Sequence, residues 1–436
     1  MDNKEDGVAY VEEINIGKHY EAFDEKVDKS LDGIWPRFRG KDYDNIYKSD
    51  IKLKNNFKDS ELQVNWSVEL GEGHAGPAIY EGMVYLLDYD ETKKADMLRC
   101  FSLKEGREIW RRWYHVNVKR NHGMSRTIPA VTEDYILTIG PRCHVMCLER
   151  TSGDFLWGID IEKEFESEIP LWYTGQCPLI DDGVAILATG GKSLMIGVDC
   201  ASGEILWEVP NENDWKMSHS SIMPFTYHDQ KMYVYPAIGG VVGVSTKGEI
   251  LWSSEAWDHS VIAPSPICMP DGKIFLTAGY GAGAMMLQLM KVNGGFEVKL
   301  LDEYKPSQGL ASEQQTPVYY KEHLFGIMPK DGGSLRNQLV CVHPDNTKDI
   351  VWSSGKTTRF GLGPYMVADG KFYVLKDNGT LFILDANTSE YKELDKIQIL
   401  EGHDAWAPMA IANGYLVLRD SKTMVCIDLT DQILAK

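Results

Sequence analysis

The sequence predicts an all-β fold made of eight copies of one four-stranded unit closed into a ring, and three observations carry that reading. First, a hairpin recurs. Residues 147–157 (Cys-Leu-Glu-Arg-Thr-Ser-Gly-Asp-Phe-Leu-Trp) return as residues 198–207 (Val-Asp-Cys-Ala-Ser-Gly-Glu-Ile-Leu-Trp), and the pattern closes again at Trp110 and Trp252. The glycine permits a turn with positive φ, and two β-rich runs split by such a turn read as a hairpin. Second, the closing tryptophans Trp66, Trp110, Trp157, Trp207, Trp252 and Trp352 are spaced 44, 47, 50, 45 and 100 residues apart. The last gap is two periods, with a copy lacking tryptophan near residues 298–301; another such copy ends near residues 391–394. Third, a proline followed by an apolar run and a tight turn keeps phase at Pro77, Pro129, Pro178, Pro266, Pro317, Pro364 and Pro408, with a looser copy at Pro224. Four strands in roughly 40 to 50 residues is the signature of a β-propeller blade.

The blade count also explains closure. The last unit, residues 408–429, has room for three strands, whereas residues 62–70, carrying Trp66, form an orphan outer strand. Pairing the two completes an eighth blade and removes the open edges of an unclosed sheet. The domains read as a flexible tether (1–33), an arm packed on the propeller with Trp35 and Phe38 as anchors (34–61), the propeller (62–430) and a tail (431–436).

The Ser/Thr-Gly-Asp/Glu turn with a tryptophan three residues on resembles the tryptophan-docking repeat of quinoprotein alcohol dehydrogenases. Within that superfamily the chain is most similar to pyrroloquinoline-quinone-like (PQQ-like) repeat proteins. These include the propeller lipoprotein of the outer-membrane barrel-assembly machinery and extracytoplasmic proteins of Bacteroidetes and Planctomycetes. Trp35-Pro-Arg-Phe-Arg-Gly40, Gly239-Gly-Val-Val-Gly-Val244 and Ala405-Trp-Ala-Pro408 carry the likeness to the last group. The resemblance spans about residues 34–430 and speaks for fold; one fold hosts many functions.

Composition agrees. Hydrophobic residues make up 43% and aromatics 11% of the 436 residues, enough for a large core. With 45 basic against 64 acidic residues the formal charge is −19, which repels phosphate backbones and argues against nucleic acid as a partner. No apolar run reaches transmembrane length. The opening Met1-Asp-Asn-Lys-Glu-Asp-Gly7 has neither a basic start nor an apolar stretch. It is the kind of start left when a lipoprotein signal and its modified cysteine have been removed. The expectation is an exported, lipid-anchored, monomeric protein; a cytoplasmic protein with an acidic tail is the alternative.

The eight cysteines do not read as disulfides. Cys100, Cys147, Cys341 and Cys426 take nearly the same place in the third strand of different blades, too far apart to bridge. Cys143 and Cys147 are four apart on a strand, about 13 Å. No paired Cys-x2-Cys clusters suggest zinc, and no metal site is expected.

Chemistry in a propeller gathers where loops enter the innermost strands, just ahead of the proline markers. The candidates are His74, Arg126, Trp172 with Gln176, His219, Ser260, Gln314 with Gln315, Arg359 and Trp406. Arginine offers bidentate donors to an anion, and tryptophan offers a face to a planar group or sugar ring. Polar side chains that merely fill the channel are the plain alternative. Residues 161–172 read as a short helix that projects Trp172 and Tyr173 over the mouth. The glycine-rich Gly279-Tyr-Gly-Ala-Gly-Ala284 reads as a tight crossing between strands.

The resemblance implies what a quinone dehydrogenase would need: an adjacent-cysteine disulfide ring, calcium held by a glutamate and an asparagine, and an aspartate base. No adjacent cysteines occur, and the sites ahead of the prolines offer few carboxylates, Glu313 and Asp404 being the nearest. The reading is therefore a non-enzymatic extracytoplasmic propeller that engages an envelope protein, peptide or glycan at its channel mouth and carries no cofactor. The alternative is a dehydrogenase using PQQ with calcium, or a carbohydrate-active or glycan-binding protein using the same funnel.

Overall fold

The computed structural model describes residues 14–23, 30–57, 62, 64–120 and 124–431. They form eight sheets, each built on four antiparallel strands in blade order, with two further strands added to blade 1 and one to blade 7. The ring closes as the sequence implies: Val64–Glu69 pairs antiparallel with Thr423–Asp428, Cys426 opposite Trp66, and completes blade 8. The copies without tryptophan are also strands, Gly295–Tyr304 in blade 5 and Glu393–Gln398 in blade 7. Residues 161–172 begin with one short helix, Ile161–Phe165, capped by the Asp160 carboxylate, which accepts from Lys163 N–H. The glycine-rich stretch is the hairpin turn between Lys273–Ala278 and Gly283–Val292.

Blades are joined through the repeated tryptophan and glycine. The turn glycine of one blade lies on the indole of the blade before it: Gly106 on Trp66, Gly153 on Trp110, Gly203 on Trp157 and Gly248 on Trp207. All four glycines have positive φ, and an added Cβ would come within 2.5–3.1 Å of the ring. Only a residue without Cβ permits both the turn and the contact. Two indoles also donate across the joint, Trp66 Nε1 to Leu103 O and Trp157 Nε1 to Cys200 O, each at 2.8 Å. Gly294, in the outer hairpin of blade 5, and Gly355, in the loop that leaves blade 6, have no atom within 4 Å of an added Cβ.

The cysteines are all free and, apart from the half-buried Cys268, buried among apolar neighbours. Cys100, Cys147, Cys341 and Cys426 sit on the third strands of blades 1, 2, 6 and 8. One sulfur has a further role, in a ladder of hydrogen bonds that joins blades 2 to 6 around the channel. Ile128 N–H donates to Cys177 Sγ (3.3 Å), Cys177 N–H to Ser221 Oγ (2.9 Å), Ser221 N–H to Ser265 Oγ (3.1 Å) and Ser265 N–H to Thr316 Oγ1 (2.9 Å).

The arm does more than lie along the propeller. Ile34–Trp35 pairs with the inner strand of blade 1, Val131 N–H of blade 2 donates to Pro36 O, and Arg39 donates to Thr316 O and Pro317 O of blade 6 at 3.2 Å each. Ile46–Tyr47 then adds a parallel strand to blade 7. Blade 6 stands opposite blade 2 in a ring of eight, so the arm crosses the channel. The outer edge of blade 1 differs from the tether expected for residues 1–33. His19–Ala22 pairs antiparallel with Glu108–His115, because Arg112 donates to Gly17 O at 2.9 Å and its guanidinium lies 4.7 Å over the Tyr20 ring. Residues 1–13 and 24–29 of that stretch, part of the arm's end (58–61) and the tail 432–436 lie outside the described residues.

If indole–glycine docking holds the blades together, Gly106→Ala will destabilise the protein by about 2–4 kcal/mol, combining steric overlap and φ strain. Gly294→Ala, which has the φ strain and open space, will cost only about 1 kcal/mol. Urea denaturation of the two variants gives the comparison.

Candidate functional site

The channel mouth holds a cavity of about 250 Å³. Its floor is the half-buried Phe38 ring, carried there by the crossing arm. Its walls come from the loops ahead of the inner strands, and they alternate in kind around the ring. Trp172 (blade 3) stacks on His219 (blade 4), with ring centroids 6.5 Å apart and planes 17° apart. Tyr280 (blade 5) leans on the same indole at 5.6 Å. Facing them, His74 (blade 1) and Trp406 (blade 8) lie 4.9 Å apart. Between these two aromatic walls stand Arg126 on blade 2 and, opposite it, Glu313, Gln314 and Gln315 on blade 6. Ile128, Val261 and Leu362 make the remaining surface apolar.

The polar groups are largely engaged with the protein. Arg126 Nη1 donates to Trp172 O, and burial brings its guanidinium down to about 10. Glu313, with a side chain only 10% exposed, faces Lys330 Nζ at 3.8 Å and accepts from Lys330 N–H at 3.3 Å. Gln315 Nε2 donates to Leu362 O (3.2 Å) and Trp406 O (2.7 Å). His219 is pushed down to about 4 by burial, with the Arg126 charge adding to the effect, so its imidazole is neutral at pH 7.

The loop that presents Trp172 is held in a costly conformation. Trp172 (φ 65°) and Tyr173 (φ 72°) both occupy the left-handed region, as does Tyr280 (φ 57°). Bulky residues persist there only when their surroundings over-determine them, and such positions cluster at functional sites. Here Tyr173 N–H closes a turn on Pro170 O, and Thr174 N–H reaches Pro141 O. Tyr173 Oη also accepts from Lys119 N–H (2.8 Å) and donates to Lys119 O (3.1 Å).

Seven of the residues expected from sequence meet at this cavity: His74, Arg126, Trp172, His219, Gln314, Gln315 and Trp406. Two others do not. Gln176 is fully buried and points away, its amide exchanging hydrogen bonds with the Ala188 backbone (3.1 and 2.8 Å). Its neighbours Gly175 and Cys177 line the cavity instead. Arg359 sits five residues before Pro364 and donates outside the mouth, to Arg336 O and Lys356 O; Leu362 takes its place. Ser260 likewise gives way to Val261. Sequence reasoning did not assign Phe38, Tyr280, Lys330 or Leu362 to the mouth. Of these, only Tyr280 carried a local signal, an aromatic between two glycines of a hairpin.

Beneath the Arg126 loop lies a buried carboxylate that the sequence did not flag. Asp96, 2% exposed, accepts from Tyr114 Oη at 3.0 Å and Ser125 Oγ at 3.5 Å. Ser125 O in turn accepts from His74 N–H, so this carboxylate supports two mouth residues at once. Burial pushes Asp96 up to about 7, its two hydrogen bonds oppose the rise, and Asp88 adds to it.

The donor set does not suit a quinone with calcium. Calcium takes six to eight oxygens, several of them carboxylate, and Glu313 is the one carboxylate on the cavity wall. Among the described residues no three His, Cys, Asp or Glu side chains gather as a metal would require.

Residues 93–260 match a PQQ-type family model described as outer membrane protein assembly factor BamB. No curated protein matches the chain by sequence. Solved structures share its fold at low identity. BamB from Moraxella catarrhalis is 12% identical with a TM-score of 0.54, over 85% of this chain and 98% of that one. A europium-containing methanol dehydrogenase is 11% identical at 0.61, over 88% and 89%. The quinohemoprotein alcohol dehydrogenase from Comamonas testosteroni is 11% identical at 0.60, over 91% and 80%.

Asp96 makes a testable contribution. Its folded state keeps the proton to about pH 7, whereas an unfolded chain releases it near pH 4. Between those values the unfolded state binds fewer protons, so this group lowers stability as pH rises, by roughly 4 kcal/mol in all. His144 and His219, both pushed down to about 4, have the opposite slope: their contribution is complete above about pH 6.5 and is lost as pH falls toward 4. Comparison with Asp96→Asn isolates the carboxylate. Urea melts will show near-equal stabilities at pH 4 and a variant more stable than the parent at pH 7.5; a pH-independent difference would refute the assignment. The chain is an eight-bladed propeller resembling the PQQ-like repeat proteins, by sequence over residues 93–260 and by fold around the whole ring.

Proposed function

We propose that this protein is a non-enzymatic binding propeller acting outside the cytoplasm, with its ligand seated in the cup at the channel mouth. The observation that carries the reading is the cup itself: a cavity of about 250 Å³, floored by Phe38 and walled by facing aromatic pairs. Pockets that are mostly apolar, with a few placed polar groups, are the usual form of a ligand site. Binding is favoured over catalysis by the state of the ionisable groups. Arg126 is held by Trp172 O, Glu313 faces Lys330, and His219 has a pKa too low for an efficient base at neutral pH. The family model's description as an outer-membrane assembly factor supports a place in the cell envelope. A lipid anchor ahead of these residues belongs to the same proposal.

Thermal-shift and calorimetric titration with aromatic amides, oligosaccharides, and PQQ plus calcium will test this reading. We expect stabilisation by an aromatic or sugar ligand, reduced by at least about tenfold in affinity in Trp406→Ala, and none from the quinone. Stabilisation by PQQ with calcium that is lost in Arg126→Ala would replace the proposal with a quinone dehydrogenase.

A further inference from the structure

The mouth carries a second cavity that shares a wall with the cup. A groove of about 460 Å³ runs over the rim between the loops of blades 1, 2 and 3, and Trp172 lines both spaces. Its lining differs from that of the cup. Ile169, Pro170 and Leu171 give an aliphatic side, and Leu171 is 60% exposed. Lys119 and Arg142 give a cationic side, and no carboxylate lines the groove. Arg142 has one partner, Glu162 at 2.9 Å. No ion pair to the exposed Lys119 ammonium occurs among the described residues. In a chain of net charge −19, a cavity lined by two cations and no acid is a local exception, and it selects partners by sign.

The wall between the two spaces is rigid. Trp172 and Tyr173 are locked in the left-handed region by Arg126, Pro170, Pro141 and both backbone polar groups of Lys119. The same hydrogen bonds that fix the indole therefore fix the position of Lys119 beside it. A ligand that fills the cup and continues outward must pass over Trp172 and meet the cations beyond.

From this we infer, on the footing of the cup proposed above, that the ligand is an extended acidic peptide. One aromatic side chain enters the cup, the backbone crosses Trp172, and an acidic side chain one or two residues away pairs with Lys119 and Arg142. The cup is not built for the acid, because its one arginine is engaged with Trp172 O. The aliphatic side formed by Ile169, Pro170 and Leu171 favours a polypeptide over a glycan, which prefers flat aromatic faces.

The test uses the full chain and three blocked probes: Ac-Phe-amide, Ac-Phe-Gly-Asp-Asp-amide and Ac-Phe-Gly-Asn-Asn-amide, followed by calorimetry and tryptophan fluorescence. We expect the Asp peptide to bind about threefold to fivefold tighter than the Asn peptide at low salt. The margin should close at 0.5 M salt, where the Debye length falls to roughly 4 Å, and in Lys119→Gln. Ac-Phe-amide should bind more weakly and be indifferent to Lys119→Gln, which sits on the surface and leaves the core intact. Equal affinity for the two peptides, or an acid preference that survives in Lys119→Gln with Arg142→Gln, overturns the inference. If Ac-Phe-amide still binds and Trp406→Ala weakens it, the cup reading stands while the acidic groove falls. If oligosaccharides bind at Trp172 and no peptide does, the peptide assignment falls and the cup stands. Failure of every probe removes both.

Discussion

The structure depends on a contact between a ring and a missing side chain. Each docked tryptophan closes the outer strand of its blade and lies against the turn glycine of the next, so one residue pair sets both the hairpin and the blade-to-blade spacing. The contact excludes any Cβ, and the turn requires positive φ; glycine satisfies both demands with no side-chain adjustment. Four successive joints, from blade 8 through blade 4, use it. Beyond them the outer hairpin of blade 5 leaves Gly294 open, and Trp252 Nε1 turns instead to Met232 Sδ in its own blade at 3.2 Å. The family model matches over residues 93–260, which lie mainly in the regularly docked half.

A second set of contacts operates at the centre of the ring. Side-chain acceptors ahead of the inner strands link blades 2 to 6 one after another. Blades 7, 8 and 1 present Gly363, Ala407 and Gly76 at the corresponding positions, immediately before Pro364, Pro408 and Pro77, and none of these can supply such an acceptor. The crossing arm covers that side, pairing with blades 1 and 7 and reaching blade 6 through Arg39. Arg39 is 5% exposed and hydrogen-bonded to two of blade 6's carbonyl oxygens, so the crossing is fixed rather than draped. A channel that a bare propeller would leave open thus becomes a cup with Phe38 at its base.

These two systems explain what the sequence could and could not reveal. The tryptophan and proline markers recur because each blade must make the same contacts, so strand order, blade count and ring closure at Trp66 were legible. Mouth residues were legible because they stand within a few residues of a proline marker: His74, Arg126 and Gln314 three before it, Gln315 and Trp406 two before it. Gln176 was misplaced because its amide is taken up by the Ala188 backbone, a partner that a list of polar residues does not reveal. Arg359 was misplaced because the Gly361-Leu362-Gly363 entry brings a different residue to the rim. Phe38 and the strand at His19–Ala22 depend on partners far away in sequence, and no local pattern marks them. Asp96 looks like any strand aspartate until Tyr114 and Ser125 close over it.

The binding role proposed above would use the same geometry. The ionisable groups of this cup are engaged within the protein: Arg126 holds the Trp172 loop, Glu313 faces Lys330, and burial, aided by the Arg126 charge, keeps His219 neutral. What they produce is rigidity. Two consecutive aromatic residues are kept in a backbone conformation that costs roughly 1–2 kcal/mol each, and three loops contribute to holding them there. A wall fixed in this way lowers the ordering cost of binding, because the surface is already in the shape the ligand requires. The mouth therefore uses its charged residues to build a fixed aromatic surface, the kind of surface that the proposed binding role requires.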